Sequence, residues 1–272
     1  NLKPIVEVAK MYGAHVYLDE AHSIGAIGPT GRGVCEELGV DTKDVTIMMG
    51  TFTKSFGAAG GYVAGDKEVI DAVKRFSLGY TEAVSMAPAV CAQVLSSLRM
   101  IEGADGTDIG NQKLNDLREN SKFFRDGLVA LGLEVLGDHP SPIMPVMLYQ
   151  PYKIGDFSRM AFNRGLAVVV VGSPATPLTL PRVRFCISAA HKRSDLENAL
   201  HVISEIADEL CLKFKKYPAN KYFPGSIEEL EAKEHKESIR RKEQALKTRE
   251  KALESASRLH WAPVYVGSKV NE

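Results

Sequence analysis

Short apolar runs and helix-period patterns alternate along this chain, and that alternation limits the fold more than any single residue does. "AHVYLDE" (14–20), "DVTIMMG" (44–50) and "GGYVAG" (60–65) read as strands, and "KEVIDAVKRFS" and "APAVCAQVLSSLRMIEG" as helices. Near-continuous apolar strands of this kind predict a sheet covered on both faces. The opening segment, "LKPIVEVAKMYG", puts Leu2, Ile5, Val6 and Ala9 on one helical face and stops at Gly13. It already reads as the middle of a domain, and with Asn rather than Met as residue 1 the expectation is that further chain precedes it.

Gly, Asp and Thr dominate residues 103–111, which predicts a boundary there. Beyond it come a long helix ("QKLNDLRENSKFFRDGLVALG"), "EVLG", "IMPVMLY", the helix "IGDFSRMAFNRG", the strand "LAVVVV", the loop "GSPATPLTLP", the strand "RVRFCIS" and the helix "SDLENALHVISEIADELCLKF". The expected division is an α/β part over 1–105, a smaller α+β part over 106–216 and a tail over 217–272. In the tail acidic and basic residues alternate at helical spacing. Ile239, Leu246 and Leu253 repeat every seven residues, but Lys242 and Arg249 occupy the second apolar position, so the tail reads as a charged helical or disordered segment rather than a coiled coil.

Composition narrows the function. Lys plus Arg and Asp plus Glu both number 34, so there is no basic excess of the kind nucleic-acid binders carry. Cys35, Cys91, Cys186 and Cys211 lie far apart, which points to neither a zinc site nor a disulfide framework. No metal site is expected. The longest apolar run, 166–171, is too short to span a bilayer, and no signal peptide is visible.

Two stretches carry chemistry. "VYLDEAHSIG" (16–25) places Asp19 where an apolar strand ends, which in open α/β sheets is the ligand crevice. The letters D-E-A-H also occur at the Mg²⁺-holding strand end of helicases. That reading needs a phosphate cradle upstream, and none of the 18 residues before Asp19 supplies one. The bland alternative is an Asp that caps the next turn. Downstream, "MMGTFTKSFGAAGGYVAG" (48–65) sets Thr51, Thr53 and Lys54 just after a second strand. Hydroxyls can bind phosphate oxygens, a lysine on a tight loop can condense with an aldehyde, and glycines let backbone approach a flat ring. One strand-crossover-strand unit separates Asp19 from Lys54, so both can reach one crevice.

"YLDEAHSIGAIGPTGRGV" followed by "GTFTKSFGAAGGYVAG" resembles the α-oxoamine synthases, pyridoxal-phosphate enzymes of fold type I. "SPIMPVMLYQPYKIGDFSR", "VVVVGSPATP" and "RVRFCISAAH" extend the resemblance to about residue 216. It implies part of a PLP-transferase large domain with a mostly parallel sheet, plus a smaller C-terminal domain. The implied reaction joins L-serine to a long-chain acyl-CoA with loss of CO₂, giving 3-ketodihydrosphingosine. Alternatives are a family member that uses glycine or alanine, or a subunit acting only in assembly; a non-catalytic partner subunit lacks the lysine that this chain has. The implied partner is that lysine-lacking subunit, in a heterodimer, and the implied location is the cytosolic face of the endoplasmic reticulum membrane.

The resemblance also assigns roles. Lys54 holds the cofactor covalently. Asp19 faces the protonated pyridine nitrogen, His22 hydrogen-bonds the ring oxygen, and Thr51 and Thr53 hold the phosphate. Arg182 is expected to bind the substrate carboxylate, with Arg184 facing the other way and structural. The loop over 174–177, with Thr176, is expected to close near the substrates or to be a plain Pro-rich turn. His191 is expected to end a strand or start a helix. By the same resemblance, the family's ring-stacking histidine, first strands and membrane anchor are expected upstream of residue 1.

Overall fold

A computed structural model describes residues 1–214, and all of them belong to one compact unit, Asn1–Lys216. The charged tail expected over 217–272 lies outside the described residues.

Helix α1 (Leu2–Tyr12) buries Leu2 and Val6, one turn apart, and Gly13 ends it in a left-handed conformation, φ 61°. Strand β1 (Tyr17–Asp19) follows, then the short helix α2 (Val34–Leu38), β2 (Ile47–Thr51) and β3 (Gly61–Gly65). These strands form one sheet in the order β1-β2-β3, with β1 and β2 parallel and β2 and β3 antiparallel. Parallel pairing sets the C-terminal ends of β1 and β2 at the same edge, with Asp19 opposite Met49. The loop that carries Lys54 leaves β2 at that edge before returning as β3, whose Gly61 pairs with Thr51.

Helices α3 (Lys67–Phe76), α4 (Leu78–Glu82) and α5 (Pro88–Ile101) follow. Pro88 stands at the first turn of α5, where its missing N–H costs nothing. A turn separates α5 from α6 (Ile109–Ala130) where the sequence predicts a boundary, and the residues on both sides of it belong to the same compact unit. A second sheet, ordered β4-β6-β5, is antiparallel throughout and comprises β4 (Ile143–Met147), β5 (Val169–Val171) and β6 (Arg182–Cys186). Helices α6, α7 (Tyr152–Asn163) and α8 (Arg193–Glu209) cover it. Phe124 and Leu128 of α6, Phe157 of α7, Val183 and Phe185 of β6, and Ile203 and Ile206 of α8 form the core here. Each such side chain, once buried, stabilises the fold by about 1.5–3 kcal/mol before entropy is counted.

One expectation needs correction. The first sheet is not covered on both faces among the described residues: Tyr17 of β1 and Val63 of β3 are exposed, and α3 buries none of its residues. Apolar strand composition reports what a sheet can bury, not what lies against it.

Candidate active site

The turn after β1 is held by carboxylates. Asp19 Oδ1 accepts the Ala21 N–H at 2.8 Å, closing a local turn. Glu20 is buried: its carboxylate accepts the Ser23 hydroxyl and, at 3.1 Å, the N–H of Val34 at the start of α2. Its own N–H donates to Met49 O of β2 at 2.7 Å. Glu36 secures the following loop by accepting the hydroxyl of Thr30 at 2.6 Å and the N–H groups of Thr30 and Arg32, both at 3.1 Å. Burial raises the Glu36 pKa, but these bonds and the Arg32 charge outweigh it and bring the carboxyl below its usual range. Within "LDEAH", then, the Glu is the structural letter, and it leaves Asp19 and His22 on a fixed turn.

Past β2, the Thr51 hydroxyl donates to Gly60 O at 3.1 Å and accepts the Thr53 N–H at 3.2 Å, with the Thr53 hydroxyl 2.8 Å away. Phe52 and Phe56 turn into a small core with Val94 of α5, their rings edge to face at 5.4 Å. Lys54 between them is exposed and makes no side-chain hydrogen bond or ion pair with the described residues.

A cavity of about 630 Å³ opens where the two sheets' loops meet. Its polar lining includes His22, Lys54, Ser97 and Arg184 and a second lysine, Lys113 of α6, while Met100, Ile101, Leu114, Leu117 and Ile143 supply an apolar wall. His22 senses the same neighbours electrostatically. Burial lowers its pKa most, the Lys54 and Arg184 charges lower it further, and Asp19 opposes them, so the imidazole is biased to its neutral form. Arg184 Nε is buried and has no hydrogen-bond partner in the described structure. The side chain as a whole is half-buried, lines the cavity and makes no hydrogen bond or ion pair with the described residues, so its guanidinium is open to an anion there.

The cavity thus brings together Lys54, His22 and Arg184, with Asp19 beside His22. Asp19, Thr51, Thr53, Arg182 and Thr176 are not among its lining residues. Arg182 Nε instead donates to Leu180 O at 3.4 Å. The expectation that Arg184 faces away from Arg182 is wrong: side chains two residues apart on a strand share a face, and the alternating burial along β6 puts Val183 and Phe185 on the other. Arg184 stands nearer the end of β6 that opens to the cavity. Thr176 Oγ1 is buried without a partner, and the Thr176 N–H donates to Gly172 O at 3.2 Å, closing a turn in the Pro-rich loop. His191 holds a turn, its Nδ1 accepting the Ser188 N–H at 3.2 Å and its carbonyl accepting from Asn120 Nδ2 at 2.9 Å. Among the described residues no cluster of His, Cys, Asp or Glu could hold a metal ion.

The donor set suits pyridoxal phosphate. A lysine without side-chain partners, a carboxylate and an imidazole biased to its neutral form on one turn, paired threonine hydroxyls close by and an unpaired guanidinium on the cavity wall match an aldehyde-bearing, anionic ring cofactor and an amino-acid carboxylate.

Comparison with known proteins agrees. The chain is 56% identical over 219 residues to long chain base biosynthesis protein 2b of Arabidopsis thaliana, covering 80% of this chain and 44% of that protein. It is 51% identical over 216 residues to serine palmitoyltransferase 2 of Dictyostelium discoideum, covering 79% and 44%. The chain spans about half the length of the curated relatives it matches. Among solved structures, a high-resolution structure of SPT with PLP superimposes with a TM-score of 0.69 at 31% identity, over 78% of this chain and 52% of that one. The aminotransferase class I and II family matches residues 1–203, and the chain belongs to that family.

Proposed function

We propose that this chain carries the lysine, the ring-facing carboxylate and the substrate arginine of a pyridoxal-phosphate enzyme that condenses L-serine with a long-chain acyl-CoA. The observation that carries this reading is one cavity lined by Lys54, His22 and Arg184, with neither Lys54 nor Arg184 in a side-chain hydrogen bond or ion pair with the described residues. The names of the relatives, serine palmitoyltransferase 2 and long chain base biosynthesis protein 2b, support the choice of substrates.

The bound cofactor supplies an electron sink for negative charge developing on the serine Cα. Asp19, at the end of β1, would keep that sink strong by holding a positive charge opposite its carboxylate. Neutral His22 would hold the ring by a hydrogen bond, and the Thr51 and Thr53 hydroxyls would hold the phosphate. Arg184, rather than Arg182, takes the serine carboxylate in its planar fork. Lys54 removes the Cα proton. A bond then forms between Cα and the acyl carbonyl carbon as the C–S bond breaks and the CoA thiol leaves. The carboxylate departs as CO₂, and a proton returns to Cα, giving 3-ketodihydrosphingosine.

This reading brings with it a heterodimer with a lysine-lacking subunit of the same family and a place at the cytosolic face of the endoplasmic reticulum membrane. Among the described residues no helix is long and apolar enough to cross a membrane, so that association would come from other segments or partners. The test is product formation from labelled serine and palmitoyl-CoA. Label in 3-ketodihydrosphingosine, abolished by Lys54→Ala, is expected. Equal turnover with glycine or alanine would assign the site to another amino acid, and turnover that survives Lys54→Ala would overturn the proposal.

A further inference from the structure

One carbonyl in the turn that carries Lys54 has two side-chain donors on it. Phe56 O accepts from Gln93 Nε2 at 3.2 Å and from the Ser97 hydroxyl at 3.0 Å. Gln93 Nε2 also donates to Ser97 Oγ at 3.3 Å, so the three groups form a closed triangle. Gln93 and Ser97 are four residues apart on α5 and therefore share one face of it. Between them Val94 packs on Phe52 and Phe56 in the small core beneath the loop. The turn is closed from within as well: Gly57 N–H donates to Lys54 O at 3.1 Å and Ala58 N–H to Phe52 O at 2.9 Å.

These contacts act on backbone, not on ligand. Phe56 O is a loop carbonyl outside any sheet ladder, and two donors from a 14-residue helix hold it in place. The same bonds set the direction in which Lys54, two residues earlier, leaves the backbone. Ser97 and Lys54 both face the cavity, so helix, turn and lysine meet at its wall.

We infer that Gln93 and Ser97 are positioning residues that aim Lys54 at the reacting atoms, an inference that rests on the function proposed above. Without them the turn keeps its internal bonds and its buried phenylalanines but can pivot about them. A displacement of about 1 Å at a proton-transferring group can cost up to about a hundredfold in rate. Arg184 lies on β6, an element these bonds do not touch, so binding of the amino-acid carboxylate should be spared.

The experiment compares the wild-type protein with Gln93→Met, Ser97→Ala, the double variant and Ser97→Thr. Loss of both donors is expected to lower kcat about tenfold with KM for serine within about twofold. It is also expected to shift the pH profile of the absorbance band of bound pyridoxal phosphate, which reports the setting of Lys54. Ser97→Thr, which keeps the hydroxyl, should restore both readouts. A double variant with kcat and absorbance profile unchanged overturns the inference and leaves the proposed function standing. Wild-type protein that takes up no pyridoxal phosphate overturns both. Should the double variant melt below the assay temperature, Ser97→Ala decides: a drop in kcat rescued by Ser97→Thr supports the inference, and no drop overturns it.

Discussion

Gly25 and Ser55 approach so closely that a methyl group added to Gly25 would lie 2.8 Å from the Ser55 Cβ and 3.3 Å from the Phe56 ring. This contact brings the His22 turn and the Lys54 turn together. Gly25 also has a φ of 73°, which favours glycine on its own account. Gly25→Ala is therefore expected to destabilise the fold by about 1–3 kcal/mol through strain and displacement of the Lys54 turn. Thermal melting with and without pyridoxal phosphate checks it; the variant should melt lower and gain less from the cofactor than wild type does.

The two arginines of β6 separate by position along one face. Arg184→Lys should raise KM for serine about tenfold to a hundredfold, because a point charge replaces a planar fork in a charge-assisted pair. Arg182→Lys should change KM little, since Arg182 Nε is engaged with Leu180 O and the side chain does not line the cavity. Steady-state kinetics with serine varied decides, and a larger effect at Arg182 would return the carboxylate to that residue.

Glu20 is the buried letter of the "LDEAH" turn. Glu20→Gln keeps the shape but removes a charged acceptor shared by the Ser23 hydroxyl and the Val34 N–H. The expected loss is about 1–3 kcal/mol of stability, because both donors fall on one oxygen, Oε2: an amide oxygen there accepts them without the charge, and the amide NH₂ becomes a new buried donor. Urea unfolding measures it, and Glu20→Gln as stable as wild type would mean that the turn is held elsewhere.

His22 gives a pH dependence with a defined sign. Its folded-state pKa lies below 6.5, through burial first and then the Lys54 and Arg184 charges, against the pull of Asp19. Between that depressed value and about 6.5 the unfolded chain binds the proton and the folded chain does not, so stability falls as pH drops through this window. His22→Gln should flatten that part of the profile. Urea midpoints at pH 7.5 and 5.5 for both proteins check it, and identical slopes would contradict it.

Much of the first sheet is legible in the sequence because strand ends, glycines and the Thr-x-Thr-Lys run are local signals. Parallel pairing of β1 with β2 then follows from the crossover between them. Helices α2 and α4, five residues each, are too short to show a period. The choice between Arg182 and Arg184 is not local. Both side chains sit on one face of β6, and only the packing of α5, α6 and the Lys54 turn decides which of them meets the cavity. Gln93 and Ser97 read as ordinary polar positions on α5; their partner, Phe56 O, lies 41 residues from Ser97 and belongs to the backbone, which sequence patterns do not reveal.

The central claim is that Lys54 is the cofactor lysine. Borohydride reduction of the purified protein with pyridoxal phosphate, followed by peptide mass analysis, tests it most directly. The expected result is a yellow protein with one phosphopyridoxyl group, fixed on Lys54 and missing from Lys54→Ala. A colourless protein, or a label fixed on any other lysine, would contradict it.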